Sequence, residues 1–159
     1  MAAHTIYCDG SCLHAPGTPG HGPAGWGAVI DARGCARVEA AAYIGIATNQ
    51  VAELTAAIEA IGMVPAGATV DLYTDSEYLV KGISEWLATW KRKNWKTAAG
   101  KPVANESLWR RLDALRATHK IRAHWVKGHN GDDRNTRADH LARDAARRGP
   151  AEAQSGAAA

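Results

Sequence analysis

The spacing of apolar residues changes once along this 159-residue chain, near residue 49, and that change restricts the possible folds more than any other feature. Before it, residues 4–9, 26–31 and 36–44 are short strand-type runs, and a Gly-containing connection between the last two favours a hairpin. After it, apolar residues recur every three or four positions, which is typical of amphipathic helices. We therefore predict three strands first, followed by helices mixed with strands.

The second part of the chain alternates between the two kinds of element. The predicted strands are residues 68–74 and 121–126, and the predicted helices are residues 49–62, 76–90, 105–118 and 135–148. Asn49 is the predicted N-cap of the first helix, and the Gly- and Pro-rich residues 13–25 form a predicted loop. Because parallel strands need crossover connections, the order βββαβααβα predicts an α/β fold. Its mixed five-stranded sheet has three antiparallel strands, then two parallel ones, flanked by helices.

Length and composition limit the class of protein. A chain of 159 residues with 46% hydrophobic content can form one domain with a normal core. No apolar run approaches the roughly 18 residues of a membrane helix, and the N-terminus lacks the pattern of a secretion signal. The chain has three cysteines, and an odd number favours reduced thiols over a framework of disulfides. We expect a cytoplasmic monomer without a membrane partner, in which residues 149–159 form a disordered tail.

Charge is unevenly distributed along the chain. Residues 86–111 contain seven basic side chains and one acidic side chain, a net charge of +6, so the remainder carries −3 of the overall +3. A basic insert of this kind can bind a polyanion, while a mildly acidic body can supply carboxylates for chemistry.

Four carboxylates lie where buried surfaces are predicted to end. Asp9 ends the first strand, Asp75 ends the fourth strand, and Glu53 and Asp139 lie in the first turns of the first and last helices. Each of them alone has an ordinary explanation, since Asp favours turns and acids favour helix N-termini. Together they would repel one another unless a cation were present.

A divalent cation is the partner that this cluster predicts. Oxygen ligands without thiolates or paired imidazoles favour Mg²⁺ or Mn²⁺ over Zn²⁺. A zinc site at His4, Cys8, Cys12 and His14 is disfavoured, because Cys8 lies on the opposite strand face from Asp9. Two Mg²⁺ ions roughly 3.5–4 Å apart can bind both the attacking and the leaving oxygen of a phosphoryl displacement.

Five segments carry these residues and their neighbours. They are Tyr-Cys-Asp-Gly-Ser-Cys (7–12), Thr-Asn-Gln-Val-Ala-Glu-Leu (48–54), Tyr-Thr-Asp-Ser-Glu-Tyr (73–78), Trp-Val-Lys-Gly-His-Asn-Gly (125–131) and Arg-Ala-Asp-His-Leu-Ala (137–142). In this order they resemble bacterial ribonuclease H of type 1, and residues 86–112 are similar to the basic protrusion of that family. The similarity covers residues 4–147. It implies a ribonuclease H-like fold, with a catalytic domain over residues 1–148 and the protrusion at about 86–104.

The resemblance implies an endonuclease that hydrolyses the RNA strand of RNA–DNA hybrids by two-metal-ion phosphodiester cleavage, leaving 5′-phosphate and 3′-hydroxyl ends. It also implies two Mg²⁺ ions per active site, with Mn²⁺ as a substitute, held by Asp9, Glu53, Asp75 and Asp139. His129, in the Gly-containing loop before the last helix, would assist proton transfer or product departure.

Contacts with the hybrid are expected from two parts of the chain. Near the acids, or at positions that hold a DNA phosphate in the family, the candidates are Gly10, Ser11, Thr48, Asn49, Gln50 and Asn105. In the protrusion they are Trp86, Trp90, Lys91, Arg92, Lys93 and Lys96, whose cations would neutralise phosphates. Trp109 is a predicted core residue, and the sequence leaves the burial of Trp95 open. Ile46 and Glu77 depart from the family pattern, which often has a basic residue and Gln there.

Three other functions fit parts of this pattern. A nuclease of the same fold could act on DNA instead, and the substrate that it cleaves would distinguish it. A non-catalytic module could bind hybrids, but it would have no reason to place four carboxylates near phosphates. A flavodoxin-like domain for a small ligand is disfavoured by the +6 insert and by the lack of a phosphate-binding Gly-rich loop after the first strand.

Overall fold

A five-stranded sheet with helices on both faces forms the body of the protein. The computed structural model describes residues 3–14, 20–127 and 132–150. The strands are β1 (Ala3–Cys12), β2 (Gly22–Ala32), β3 (Val38–Ala47), β4 (Thr69–Thr74) and β5 (Lys120–Trp125). The helices are α1 (Asn49–Gly62), α2 (Glu77–Lys81), α3 (Leu87–Arg92), α4 (Glu106–Thr118) and α5 (Asp133–Arg148), and a π-helical turn at Gly82–Trp86 joins α2 to α3. None of the helices in these ranges is long and apolar enough to cross a membrane.

The topology confirms the predicted mixed sheet. The strand order is β3-β2-β1-β4-β5, with antiparallel pairing among the first three strands of the chain. Strand β4 is parallel both to β1 and to β5. Because β1 and β4 run in the same direction, Asp9 and Asp75 lie at the same edge of the sheet.

The two faces of the sheet are covered differently. Ile6 and Cys8 of β1 belong to the larger core, which also contains residues of α1, α3 and α4. Tyr7 belongs to a smaller cluster on the other face, beneath α5. Since successive strand residues point to opposite faces, Asp9 shares the α5 side of the sheet with Tyr7.

The predicted strand over residues 4–9 was too short, and the predicted loop over residues 13–25 was too long at its C-terminal end. Strand β1 continues to Cys12, and β2 begins at Gly22 rather than Trp26. The Leu13 N–H donates a hydrogen bond to the Pro23 carbonyl at 2.8 Å, so the Pro-containing segment is paired on this side. Gly and Pro predict a loop only where packing does not hold the strand, and here both neighbouring strands do.

Two helix starts also differ from the predictions. Thr48, not Asn49, is the N-cap of α1, since its Oγ1 accepts a hydrogen bond from the Val51 N–H at 3.1 Å. Helix α5 begins at Asp133 rather than at residue 135. Both catalytic candidates on these helices, Glu53 and Asp139, therefore lie in second turns. Helix packing against the sheet, rather than the N-terminal dipole, accounts for their positions.

Helix α5 lies unusually close to β2 at Gly27. A Cβ atom at Gly27 would lie 2.6 Å from the Ala138 carbonyl oxygen and 2.6 Å from the Ala142 nitrogen. Both of these are backbone atoms, which cannot move aside as the end of a flexible side chain can. The absence of a side chain at Gly27 thus sets the distance between α5 and the sheet.

We expect Gly27→Ala to lower the free energy of unfolding by roughly 1–3 kcal/mol, because the new methyl group forces α5 away from the sheet. Urea denaturation measures this change. Gly62→Ala is the matched control, since a Cβ at Gly62 would have no atom within 4 Å and the residue ends a helix. An equal loss of stability in both variants would contradict this account.

Candidate active site

Three carboxylates from different elements meet beyond the C-terminal end of β4, next to Asp9 within β1. Asp9, Glu53 and Asp75 each offer an oxygen atom, and these three atoms lie within 4.8 Å of one another. Asp139 of α5 lines the same cleft and forms an ion pair with Arg143, with 3.1 Å between Oδ1 and Nε. The structure thus brings all four predicted acids to one cleft and holds three of them in a tighter group.

Glu53 reaches this group because α1 lies directly against β1. A Cβ at Gly10 would lie 2.3 Å from the Ala52 carbonyl carbon and 2.5 Å from the Glu53 nitrogen. Any other residue at position 10 would therefore displace α1 and with it the Glu53 carboxylate. Gly10, which the sequence presents as a substrate contact, has a packing role that is independent of any substrate.

Burial and the charges of neighbouring acids raise the pKa values of Asp9 and Glu53. Asp9 is only 5% exposed. Its burial, then the charges of Glu53 and Asp75, raise the pKa of Asp9 from 3.8 to about 10. Burial and the charge of Asp75 raise the pKa of Glu53 to about 8. Without a cation, the cluster therefore holds protons at neutral pH.

The donor set of this cluster fits a divalent metal ion. The Glu53 Oε2 atom is buried and has no hydrogen-bond partner within the described residues. The Gly10 N–H orients the Asp9 carboxylate by donating a hydrogen bond to its Oδ1 atom at 2.9 Å. Carboxylate oxygens are the ligands that Mg²⁺ and Mn²⁺ prefer, and an unpartnered buried oxygen is one that a cation would satisfy. Cys8 is buried in the larger core instead, as the sequence predicts.

The cleft around the acids is an open depression of about 630 Å³. Four of the predicted substrate contacts line it, namely Gly10, Ser11, Asn49 and Gln50. Thr48 caps α1 next to them but is not part of the lining. Asn105 lies apart from the cleft, where its Nδ2 donates to the Tyr78 hydroxyl at 3.2 Å.

The aromatic residues of the protrusion form a cluster with the core. Trp109 is fully buried, as predicted, and its ring contacts those of Trp86 and Trp90, which are half-buried. Trp95 is also buried, and its backbone lies in the left-handed region with a φ of 62°. The guanidinium of Arg110 lies 4.8 Å from the centre of the Trp95 ring. The burial of Trp95 thus comes from tertiary contacts within a charged segment.

The basic side chains of the protrusion differ in how much charge they leave available. Lys91 forms an ion pair with Asp113 at 3.2 Å, and Arg92 donates to the Thr89 hydroxyl at 3.4 Å. Lys93 and Lys96 are exposed and make no ion pair with any described residue. Arg92 and Lys101 likewise pair with no described acid, so Lys93 and Lys96 are two of the four basic side chains in residues 86–104 whose charge stays available.

Several lining residues of the acid cleft were not expected from the sequence. Cys12, Leu13 and Ser76 follow or flank the predicted residues, while Arg143 and Arg147 come from α5. The two arginines lie four and eight residues after Asp139, and this helical spacing is the signal that could have identified them. His129 lies outside the described residues, as do residues 151–159 of the predicted tail.

A second, larger groove of about 820 Å³ lies between β3 and α5. Asp144 is the only acid among the described residues that line it, so it lacks the convergent carboxylates of the smaller cleft. The acid cleft, not this groove, has the composition of a catalytic site.

Comparison with known proteins decides the family. The sequence profile of the RNase H family matches residues 1–147. The chain belongs to the ribonuclease H family. Its relatives include the protein named Ribonuclease H of Rhodopseudomonas palustris, 49% identical over 87% of this chain and 89% of the relative. A protein of the same name from Cupriavidus pinatubonensis is 51% identical over 86% of this chain and 90% of the relative.

A solved ribonuclease H structure agrees with this assignment. LC9-RNase H1, described as a type 1 RNase H with the type 2 active-site motif, superimposes with a TM-score of 0.80 at 31% identity. The match covers 91% of this chain and 72% of that one. Both the predicted ribonuclease H fold and the predicted resemblance are therefore confirmed.

Two departures from the ribonuclease H pattern are not among the described residues that line the acid cleft. Ile46, at the end of edge strand β3, is 70% exposed and does not line the cleft. Glu77 is exposed in the first turn of α2, and its carboxylate lies 4.0 Å from the Lys81 ammonium. Neither side chain adds a carboxylate oxygen to the group formed by Asp9, Glu53 and Asp75.

The raised pKa of Asp9 predicts how stability depends on pH without metal. Between pH 4 and pH 8 the folded protein keeps a proton on Asp9 that the unfolded chain releases, so stability falls as pH rises. Asp9→Asn removes this loss and keeps an oxygen for the Gly10 N–H. In EDTA, the stability of Asp9→Asn relative to wild type should therefore grow from near zero at pH 4 to roughly 1–4 kcal/mol at pH 7.

Urea denaturation at several pH values in EDTA measures this difference. Asp144→Asn is the control, because Asp144 is exposed, pairs with Arg148 and does not line the acid cleft. Its difference from wild type should stay constant over the same pH range. A difference between Asp9→Asn and wild type that does not change with pH would show that Asp9 is not held protonated.

Proposed function

We propose that this protein is an endonuclease that hydrolyses the RNA strand of RNA–DNA hybrids, leaving 5′-phosphate and 3′-hydroxyl ends. The main support is the convergence of Asp9, Glu53 and Asp75 in an open cleft, where a buried oxygen of Glu53 has no hydrogen-bond partner among the residues that the structure describes. Membership of the ribonuclease H family supplies the reaction class. Residues 1–148 would form the catalytic domain.

The four acids would hold the metal ions. Two divalent ions, Mg²⁺ or Mn²⁺, would supply activation of the attacking water and stabilisation of the leaving 3′ oxygen. Asp9, the most buried of the acids, would stand between the two sites, with its orientation fixed by the Gly10 N–H. Glu53, Asp75 and Asp139 would complete the ligands. His129 would assist proton transfer or product departure.

The other cleft residues would orient the substrate. Ser11, Asn49 and Gln50 present hydroxyl and amide groups beside the acids, where the 2′-hydroxyls of an RNA strand can be recognised. Thr48 and Asn105 would contact a phosphate of the DNA strand. Open access to the cleft suits a polymer substrate that must lie across it rather than enter it.

The protrusion, residues 86–104, would bind the hybrid backbone. Lys93 and Lys96 supply cations that no described acid neutralises, and Arg92 supplies another, which contacts the Thr89 hydroxyl, whereas Lys91 pairs with Asp113. The half-buried rings of Trp86 and Trp90 would line the path of the DNA strand. This arrangement neutralises phosphates at a distance from the repelling carboxylates.

A cleavage assay tests the proposed activity. The protein should cut the RNA strand of an end-labelled RNA–DNA hybrid when Mg²⁺ is present and not in EDTA. The RNA products should have 3′ ends that a polymerase can extend. Hybrid binding without cleavage would indicate a binding module, and cleavage of duplex DNA of the same sequence would indicate a DNA nuclease.

We expect Asp9→Asn and Asp139→Asn to reduce hybrid cleavage by more than about a hundredfold. Mutation of even an outer-sphere partner of a metal ligand typically lowers metal affinity or activity about 10- to 100-fold, and Asp9 and Asp139 are direct ligand candidates. Asp144→Asn, on the same helix as Asp139, should retain activity. Initial rates with the labelled hybrid measure all three. Wild-type rates in Asp9→Asn would refute the assignment of the acids.

Replacing both Lys93 and Lys96 by Ala should raise KM for the hybrid and flatten its dependence on salt. Each lost phosphate contact should lower the slope of log K against log salt by roughly 1. Lys120→Ala is the control, because Lys120 begins β5 at the edge of the sheet opposite the acids. Equal salt slopes for wild type and the double variant would exclude these lysines from the binding surface.

A further inference from the structure

One cation on the wall of the acid cleft has no role in the arrangement described so far. Arg147 lies on the last turn of α5 and lines the cleft together with Arg143 and Asp139. The three residues are spaced by four, so they lie along one side of the helix. A rise of 1.5 Å per residue places Arg147 roughly 12 Å along the helix from Asp139.

The register of the sheet shows which strand residues lie next to Arg147. Ala146 packs on Gly25, whose hypothetical Cβ would lie 2.6 Å from the Ala146 nitrogen. Gly25 pairs with Ser11 across β1 and β2. Arg147 therefore lies beside the Ser11 end of the cleft, beyond the acids, and Ser11 and Leu13 line the same depression.

The two arginines of this helix side differ in their partners. Arg143 is engaged with the Asp139 carboxylate at 3.1 Å. Arg147 is exposed and forms no ion pair or hydrogen bond with any described residue. Its neighbour Arg148 pairs with Asp144 at 2.9 Å and does not line the acid cleft. Arg147 is thus the available guanidinium of the acid cleft.

We propose that Arg147 binds a non-scissile phosphate of the RNA strand, beside Ser11, and so positions the strand over the acids. The inference rests on the proposed hydrolysis of RNA in hybrids. A strand that crosses the acid group meets repulsion there, and its neighbouring phosphates need cations to hold them. A guanidinium binds a phosphate through two parallel hydrogen bonds and stays charged at every relevant pH.

The distance from the acids separates this role from catalysis. At roughly 12 Å along the helix, Arg147 reaches a neighbouring phosphate rather than the one that is cut. Such a contact is made equally in the ground state and in the transition state. Its loss should raise KM and leave kcat nearly unchanged.

The test compares Arg147→Gln, Arg147→Lys and the control Arg148→Gln. Cleavage of a labelled hybrid in Mg²⁺ gives KM and kcat, and fluorescence anisotropy in EDTA gives hybrid affinity without metal. We expect Arg147→Gln to raise KM and Kd roughly three- to tenfold at low salt. The slope of log Kd against log salt should fall by about 0.7–0.9. Arg147→Lys should lie between wild type and Arg147→Gln, and Arg148→Gln should change KM less than about twofold.

Each other outcome has a definite meaning. If wild type cleaves the hybrid and Arg147→Gln leaves KM, Kd and the salt slope unchanged, the phosphate contact is overturned while the proposed function stands. If Arg148→Gln matches Arg147→Gln, the effect belongs to the general charge of the helix and the inference is overturned. If wild type does not cleave the hybrid, the proposed function fails, and this inference fails with it.

Discussion

The contact between the backbones of α1 and β1 at Gly10 is the constraint on which the cleft depends. A strand and a helix ordinarily keep side chains between them, but here the helix backbone lies where a Cβ would be. Gly27 does the same for α5 on the opposite face of the sheet. Two helices are thereby drawn in from opposite sides, and each brings one carboxylate towards Asp9 of β1.

Bringing the carboxylates close together is electrostatically unfavourable. Burial, together with the charges of neighbouring acids, disfavours the ionised forms of Asp9 and Glu53, which is why the pKa values of these two acids are raised. A divalent ion reverses this balance because it attracts the ionised form. Metal binding to such a cluster releases protons, so metal affinity should increase with pH. The geometry that disfavours ionisation of these acids is also the geometry that favours the binding of a cation.

The sequence predicts the strand and helix order and the convergence of the acids, because both follow from periodicity and from residues placed at strand ends. It mistakes the start of β2, since a Gly- and Pro-containing segment resembles a loop unless the packing of its neighbours is known. It also leaves Trp95 undecided. The burial of that residue depends on contacts with Trp90 and Arg110 that local sequence does not encode.

The ion pairing of the arginines in α5 is a second feature that the sequence alone does not predict. Their spacing from Asp139 is visible in the sequence, but spacing alone does not reveal which guanidinium is engaged. Arg148 and Arg143 pair with acids four residues earlier, whereas Arg147 has Arg143 four residues before it and hence no carboxylate there. Whether an arginine of this helix is paired therefore depends on which residue lies four positions before it. This difference in pairing becomes informative only when the cleft beside the helix is known.

The uneven placement of tryptophan has a consequence for spectroscopy. Four of the six indoles, at positions 86, 90, 95 and 109, are gathered in one cluster between the protrusion and α4. Helix α5 contains neither Trp nor Tyr. Intrinsic fluorescence therefore reports chiefly on the half of the molecule that contains α3 and α4. Detachment of α5 would be nearly silent in emission, and amide hydrogen exchange would be the observable that reveals it.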